Sequence, residues 1–158
     1  MRHLATTLTT VVVISIQLLA QTQKPLTPTA PGTAGDPMWQ GILRLSDGRT
    51  FVTDGGLAMD AALAKPAKLP DRVLSSKVLE EQYFKATHKN EYALSDLSAA
   101  ATGKTYTTPG GIGLNATYVN YLRRTLPRSA RLRVAAPGQP IVIVANDTVV
   151  GVLMPVAQ

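Results

Sequence analysis

Apolar and polar residues follow regular spacings most clearly in the last third of the chain, where they first predict a helix. After Asn115, a favourable N-cap residue, apolar side chains recur at helical intervals as far as Leu126. Pro127 follows directly, and proline cannot continue a helix because it has no amide hydrogen. The pattern therefore predicts a helix over residues 115–126.

Three strands are predicted after this helix. The stretch 131–135 alternates leucine or valine with arginine, which is typical of a strand with one buried and one wet face. The runs at 141–145 and 149–154 are rich in β-branched residues, and the turn sequence Asn146-Asp147 separates them. We therefore expect a three-stranded antiparallel meander at the end of the chain.

The first half of the domain is predicted to begin with a hairpin. Strands over 38–45 and 50–53 flank Asp47-Gly48, a strong signal for a tight turn between antiparallel strands. Residues 57–63 fit either a strand or a short helix, because the segment is rich in alanine.

A second helix completes the predicted architecture. Ser75 is a good N-cap for a helix over 75–86, whereas residues 87–111 show only a short ordered piece at 92–97. Together the elements predict a single α+β domain over residues 38–158. In it, an antiparallel sheet carries the two helices packed on one face.

The first 37 residues have a different character from the predicted domain. Residues 1–20 combine a polar start at Arg2-His3, an apolar run and a small residue, Ala20, which is typical of a secretory signal peptide. Residues 21–37 are rich in proline, threonine and glycine and predict an extended linker.

Two alternatives for the apolar run remain open. Residues 4–19 are an uncleaved membrane anchor in one, although the run is shorter than the roughly 20 residues that a spanning helix needs. In the other, the run is a helix of the domain itself, although it is rich in β-branched residues, which are poor helix formers.

The amino-acid composition limits the kinds of functional site that the chain can form. The chain has 158 residues, of which 45% are hydrophobic, so one domain with a real core is expected. Cysteine is absent, which excludes disulfides and thiolate nucleophiles. Beyond the predicted signal peptide His88 is the one histidine, and it has no partners at ligand spacing. We therefore predict no metal site and no cofactor.

The motifs that resemble catalytic or phosphate-binding sites lack features that such sites require. Gly103-Lys104-Thr105 lacks the earlier glycine that a phosphate-binding loop requires, and the glycine-rich segment 111–116 does not follow a buried strand. Asp54 is better explained by turn formation, and Asp60 by solvent exposure, than by a pair of catalytic carboxylates. The sequence thus predicts that the protein is not an enzyme.

Positive charge is the remaining candidate for function. The formal net charge is +6, and five arginines occur close together with no acid between them: Arg123, Arg124, Arg128, Arg131 and Arg133. One interpretation is a solvated face whose helical arginines complement the helix dipole. The other is a surface that binds an anionic partner, either nucleic acid or lipid.

Four segments of the chain resemble the bacterial DNA polymerase sliding clamp family. Residues 113–119 (GLNATYV) resemble its "FNxxYL" motif before the last helix, and residues 151–156 (GVLMPV) resemble its closing strand. Residues 43–55 are similar to its strand pair that ends in Thr-Asp-Gly, and residues 69–79 to the helix that follows. The resemblance implies one clamp-like domain, which would have to assemble with further copies to close a ring around DNA.

Two functions follow from these observations. In the first, the chain is an exported, non-enzymatic binding or accessory module, secreted or periplasmic, whose partner is a protein or the cell envelope. In the second, it is a cytoplasmic, clamp-like, DNA-associated protein that acts as an oligomer. The N-terminus discriminates between them, because export would remove the domain from replication.

Overall fold

The protein is described here by a computed structural model of residues 36–156. The strands are β1 Gly41–Arg44, β2 Thr50–Thr53, β3 Leu57–Asp60, β4 Val73–Leu74, β5 Asn90–Ala93, β6 Ser98–Ala99, β7 Thr105–Thr107, β8 Gly113–Asn115, β9 Arg131–Val134, β10 Ile141–Ala145 and β11 Thr148–Leu153. The helices are α1 Ala61–Ala64 and α2 Ala116–Thr125, with a π-helical segment at Leu79–Tyr83 and a 3₁₀ turn at Leu94–Asp96. The predicted α+β class is confirmed.

The described strands form an eight-stranded and a three-stranded sheet. The large sheet has the order β4-β1-β2-β3-β11-β10-β9-β5, and the small sheet has the order β6-β7-β8. Each neighbouring pair is antiparallel except β4, which runs parallel to β1. The pairing of β3 with β11 joins the two four-stranded halves of the large sheet.

The local predictions at the end of the chain are confirmed. Strands β9, β10 and β11 form the expected antiparallel meander, and Asn146 and Asp147 both adopt positive φ in the turn that links the last two. Such φ values match the twist of a tight hairpin, and asparagine and aspartate tolerate them better than other non-glycine residues. The Asn115 side chain accepts a hydrogen bond of 2.8 Å from the Thr117 amide at the start of α2, as an N-cap should.

The large sheet is buried on both faces. In β10, Ile141 and Ile143 pack in the cluster that contains α2, whereas Val142 and Val144 pack in the cluster that contains Leu79 of the π-helical segment. Because alternate residues of a strand point to opposite faces, the two helical segments cover opposite faces of the sheet. This differs from the single covered face that we expected, since an apolar helical stripe does not specify which face it will meet.

Other elements differ from the sequence predictions in length or kind. Residues 57–63, for which strand and helix were both open, are β3 followed by α1, which Asp60 caps through a bond from the Ala62 amide. The helix expected over 75–86 is shorter and largely π-helical, and residues 87–111 contain three strands and the 3₁₀ turn. These strands were missed because their pairing partners are distant in sequence.

The predicted signal peptide, and all of the predicted linker before Asp36, lie outside the described residues. Asp36 and Pro37, which we assigned to the linker, contact the domain: Asp36 pairs with Arg124 at 3.1 Å, and Pro37 is buried. The helices within residues 36–156 are all too short or too polar to traverse a lipid bilayer.

Candidate functional site

The side chain of Arg123, one of the five arginines singled out from the sequence, links separate elements of the domain. Its Nη2 and Nε atoms donate to the Leu94 carbonyl oxygen at 2.7 and 3.3 Å, and Nη2 also lies 3.4 Å from the Leu97 carbonyl oxygen. Its guanidinium carbon lies 4.5 Å from the centre of the Tyr106 ring. Arg123 therefore connects α2 to the 3₁₀ turn and to β7.

Two of the other arginines have carboxylate partners. Arg124 pairs with Asp36, and Arg133 Nε lies 2.7 Å from Glu91 Oε2 on the neighbouring strand β5. Arg128 and Arg131 are exposed, and their side chains make no hydrogen bond or ion pair within residues 36–156.

The five arginines do not form one surface. Leu132 and Val134 of β9 pack in the same cluster as α2. Arg131 and Arg133 alternate with them and therefore point to the opposite face of the large sheet from the helix that carries Arg123. The structure thus divides the basic cluster that is continuous in sequence.

The two aspartates that we attributed to turn formation and solvent exposure both bond within the fold, and the side chain of Asp60 is only 13% exposed, so exposure does not explain it. The Asp60 side chain caps α1, and its Oδ2 atom lies 3.6 Å from Arg49 Nη1. Asp54 is fully buried: its Oδ1 atom accepts from the Gly56 and Leu57 amides at 2.9 Å each, and its Oδ2 atom accepts from the Tyr118 hydroxyl at 2.8 Å.

Burial raises the pKa of Asp54, while the bonds from Leu57, Tyr118 and Gly56 act in the opposite direction. Burial also raises the pKa of Tyr118, and the bond to Asp54 adds to this effect. Because each oxygen of Asp54 already accepts a bond inside the core, the carboxylate joins the turn between β2 and β3 to helix α2.

Two glycines of the rejected phosphate-loop motifs lie in turns, and Gly113 begins strand β8. Gly103 has a φ of +66° in the turn before β7, and Gly111 has a φ of +85° in the turn before β8. Glycine adopts such angles without the steric cost that other residues pay. Both turns connect strands of the small antiparallel sheet, as expected for turn glycines.

His88 lies in a small polar depression of about 310 Å³ that it shares with Glu91 and Arg133. Its Nε2 atom is buried and has no hydrogen-bond partner within residues 36–156. Burial and the nearby Arg133 lower the pKa of His88, although Glu91 opposes them. The residues described contain no group of three histidine, aspartate or glutamate side chains that could hold a metal ion.

A larger groove lies at the edge of the large sheet, between β4 and the π-helical segment, and we call it the edge groove. Its volume is about 600 Å³. The apolar part of its lining comes from Val73, Leu74 and Phe84, and the basic part from Arg44, Lys77 and Lys85.

Hydrogen bonds around Glu80, which we call the buttress, connect the segments that form one wall of the edge groove. Its Oε1 atom accepts from the Ser46 amide at 2.8 Å and from the Ser46 hydroxyl at 2.6 Å, and Oε2 lies 2.9 Å from Ser76 Oγ. The Ser46 hydroxyl and amide and the Ser76 hydroxyl hold the pKa of Glu80 below its usual value. The buttress connects the π-helical segment to the turn after β1.

The basic residues of the edge groove have no carboxylate partners in the described part of the chain. Arg44, Lys77 and Lys85 are exposed, and none forms an ion pair within residues 36–156. Sequence reasoning missed this site because its walls come from segments about thirty residues apart in the chain. The one local signal was Ser75-Ser76-Lys77, which we took only as the beginning of a helix.

Comparisons with models of protein families, with curated proteins and with solved structures found no match to this chain.

Proposed function

We propose that this chain is an exported, non-enzymatic binding module that holds its partner in the edge groove. The observation that carries the proposal is the groove itself: an open cavity of about 600 Å³ with one hydrogen-bonded wall, apolar lining and three cations without ion-pair partners in residues 36–156. Concave sites that combine apolar lining with a few placed polar groups are the usual form of binding sites.

A role in binding, and not in catalysis, is supported by the bonding of the candidate reactive groups. The buried carboxylate of Asp54 already accepts three hydrogen bonds, and Arg123 donates to main-chain carbonyl oxygens. A general base must reach a substrate proton, and a phosphate-binding arginine needs free donors. These groups are therefore assigned to the fold in the proposal.

The binding role can be tested by selection of peptides from a random displayed library. Peptides should be enriched on the wild-type protein and should not bind a variant with Arg44→Glu, Lys77→Glu and Lys85→Glu. The matched control has Lys104→Glu, Arg128→Glu and Arg131→Glu, which are exposed sites outside the groove, and it should retain the selected peptides. Exposed charges contribute little to stability, so both variants should fold. Equal loss of binding in both variants, or no enrichment, would contradict the proposal.

Export is tested separately by the N-terminus of the native protein. We expect the mature chain to begin near Gln21, because the apolar run of residues 4–19 is followed by the small residue Ala20 and the proline-rich linker. Intact-mass measurement and N-terminal sequencing of protein isolated from its own host would show this. Full-length cytoplasmic protein that starts at Met1 would refute export and would favour the second candidate.

The second candidate is a clamp-like, DNA-associated protein that acts as an oligomer. It is favoured by the hydrogen bond between Tyr118 and Asp54, which links two of the segments that resemble the sliding clamp family. A DNA-binding surface at the arginines receives less support, because Arg123 is bound to Leu94 and Arg131 points to the other face of the sheet.

A further inference from the structure

The edge groove borders an unpaired edge of the large sheet. Strand β4 is the last strand on its side of the sheet, and it pairs only with β1 within residues 36–156. In this parallel ladder Val73 lies opposite Ile42, and the Ile42 amide donates to the carbonyl oxygen of Arg72 at 2.8 Å. The residues on either side of Val73 therefore bond to β1, and the amide and carbonyl of Val73 itself point away from the sheet.

The outward donor and acceptor of Val73 therefore lie at the open edge of the sheet. Val73 is 47% exposed, which is unusual for a valine in a strand, and it is one of the residues that line the groove, together with Leu74. An open strand edge is a template for pairing with another extended chain. A segment that paired there would lie along the groove, with successive side chains directed to opposite faces of the sheet.

The charges along the groove favour an acidic segment. The lining of the groove contains three cations, Arg44, Lys77 and Lys85, and two carboxylates. Both oxygens of one carboxylate, Glu80, already accept hydrogen bonds from Ser46 and Ser76. Glu81 is the other acid of the lining. Carboxylates of a bound chain could therefore pair with cations that have no ion-pair partner in the described part of the protein.

Two occupants from this protein itself fit less well. Residues 21–35 contain Lys24 and no acid, so they would add positive charge to a basic groove. A second copy that paired edge to edge would bring the same three cations against one another, and like charges in an interface are unfavourable.

We infer that the edge groove takes an acidic, extended peptide segment of a partner protein, which adds to β4 as a further strand. This inference rests on the proposed function, because it names the ligand class of the same site. Main-chain bonds to Val73 would provide register, the lining of Leu74 and Phe84 would take apolar side chains, and the three cations would select acidic ones.

The test is fluorescence anisotropy with a labelled acidic peptide, EVDVEVDV, on the full-length protein or its mature form. We expect saturable binding that weakens as ionic strength rises to about 0.15 M. A basic peptide with the same apolar spacing, KVKVKVKV, should not bind. Combined Arg44→Gln, Lys77→Gln and Lys85→Gln should weaken binding about tenfold and flatten its dependence on salt.

Pairing with the strand edge is tested by Val73→Pro. Proline removes the outward amide donor, which β1 does not use, and edge strands tolerate its fixed φ, so the sheet should remain intact while the peptide binds at least about fivefold more weakly. Val73→Thr keeps that donor and should bind within about twofold of wild type. An acidic peptide with alternate amides N-methylated makes the same test on the ligand, in case Val73→Pro does not fold.

Each result either supports or overturns the inference. Equal binding by the Val73→Pro and Val73→Thr variants and by the N-methylated peptide would exclude strand addition. Equal binding of the basic peptide would exclude charge selection. Displacement of EVDVEVDV by a peptide of residues 21–35 would assign the groove to the protein's own chain. If library selection enriches peptides that need the groove but none is acidic, the proposed function stands and this inference fails; if no peptide is enriched, both fail.

Discussion

Replacement of Asp54 by alanine is expected to lower the free energy of unfolding by about 3–5 kcal/mol. The change would leave three buried donors without an acceptor: the amides of Gly56 and Leu57 and the hydroxyl of Tyr118. Each such donor costs about 1–3 kcal/mol, and domains of this kind are stable by only about 5–15 kcal/mol. Urea unfolding followed by the fluorescence of Trp39, which packs against Tyr121, would measure the loss.

Tyr118→Phe provides the matched comparison, because it removes one donor and leaves the carboxylate with its two amides. Alone it should cost about 1.5–3 kcal/mol, the range for a hydrogen bond to a charged group. In the Asp54→Ala background it should cost nothing or restore part of the lost stability, since it removes a buried hydroxyl that no longer has an acceptor, and a double-mutant cycle would isolate this coupling. A loss below about 1 kcal/mol for Asp54→Ala would show that the carboxylate is dispensable.

Replacement of Gly151 by alanine is expected to destabilise the fold by about 3 kcal/mol, at the upper end of the usual range for overpacking. A Cβ atom at this position of β11 would lie 2.7 Å from the carbonyl oxygen of Ala58 on β3 and 3.2 Å from Ile143 Cδ1. The Ala58 oxygen belongs to the backbone and cannot rotate away. The strands would have to separate at the pairing that joins the two halves of the large sheet.

Gly113→Ala is the control for this prediction, because Gly113 is also a strand glycine with ordinary space around it. The nearest atom to its added Cβ would be Val156 Cβ at 3.9 Å. We expect no loss, or a gain of about 0.4–1 kcal/mol from the lower entropy of the unfolded chain. Equal urea midpoints for the two variants would show that the close approach at Gly151 is relieved without cost.

The arginines show how a pattern that is local in sequence can mislead about a surface. No acid occurs between Arg123 and Arg133, which suggested free positive charge. The carboxylate partners come from distant parts of the sequence. Glu91 pairs with Arg133 because β5 lies next to β9. Asp36, at the start of the described chain, pairs with Arg124. Strand pairing over such separations is set by the whole fold and leaves no local signal.

The edge groove was equally out of reach of sequence reasoning. Its buttress joins Ser46 to Glu80 across 34 residues, and its edge is open because β4 pairs with β1 on one side and with no other strand of residues 36–156. Two residues are too few for the alternation from which a strand is recognised. Sequence reasoning therefore identified neither the strand nor the cations gathered beside it.

Elements that depend on neighbouring residues were legible in the sequence. The hairpin at Asn146-Asp147, the cap at Asn115 and the end of α2 before Pro127 follow from φ preferences and hydrogen bonds that span a few residues. The tertiary structure alone decided which face each helical segment covers, that Asp54 is buried against Tyr118, and where the edge groove opens. These features come from contacts between distant segments, and such contacts form only when the whole chain packs around a common sheet.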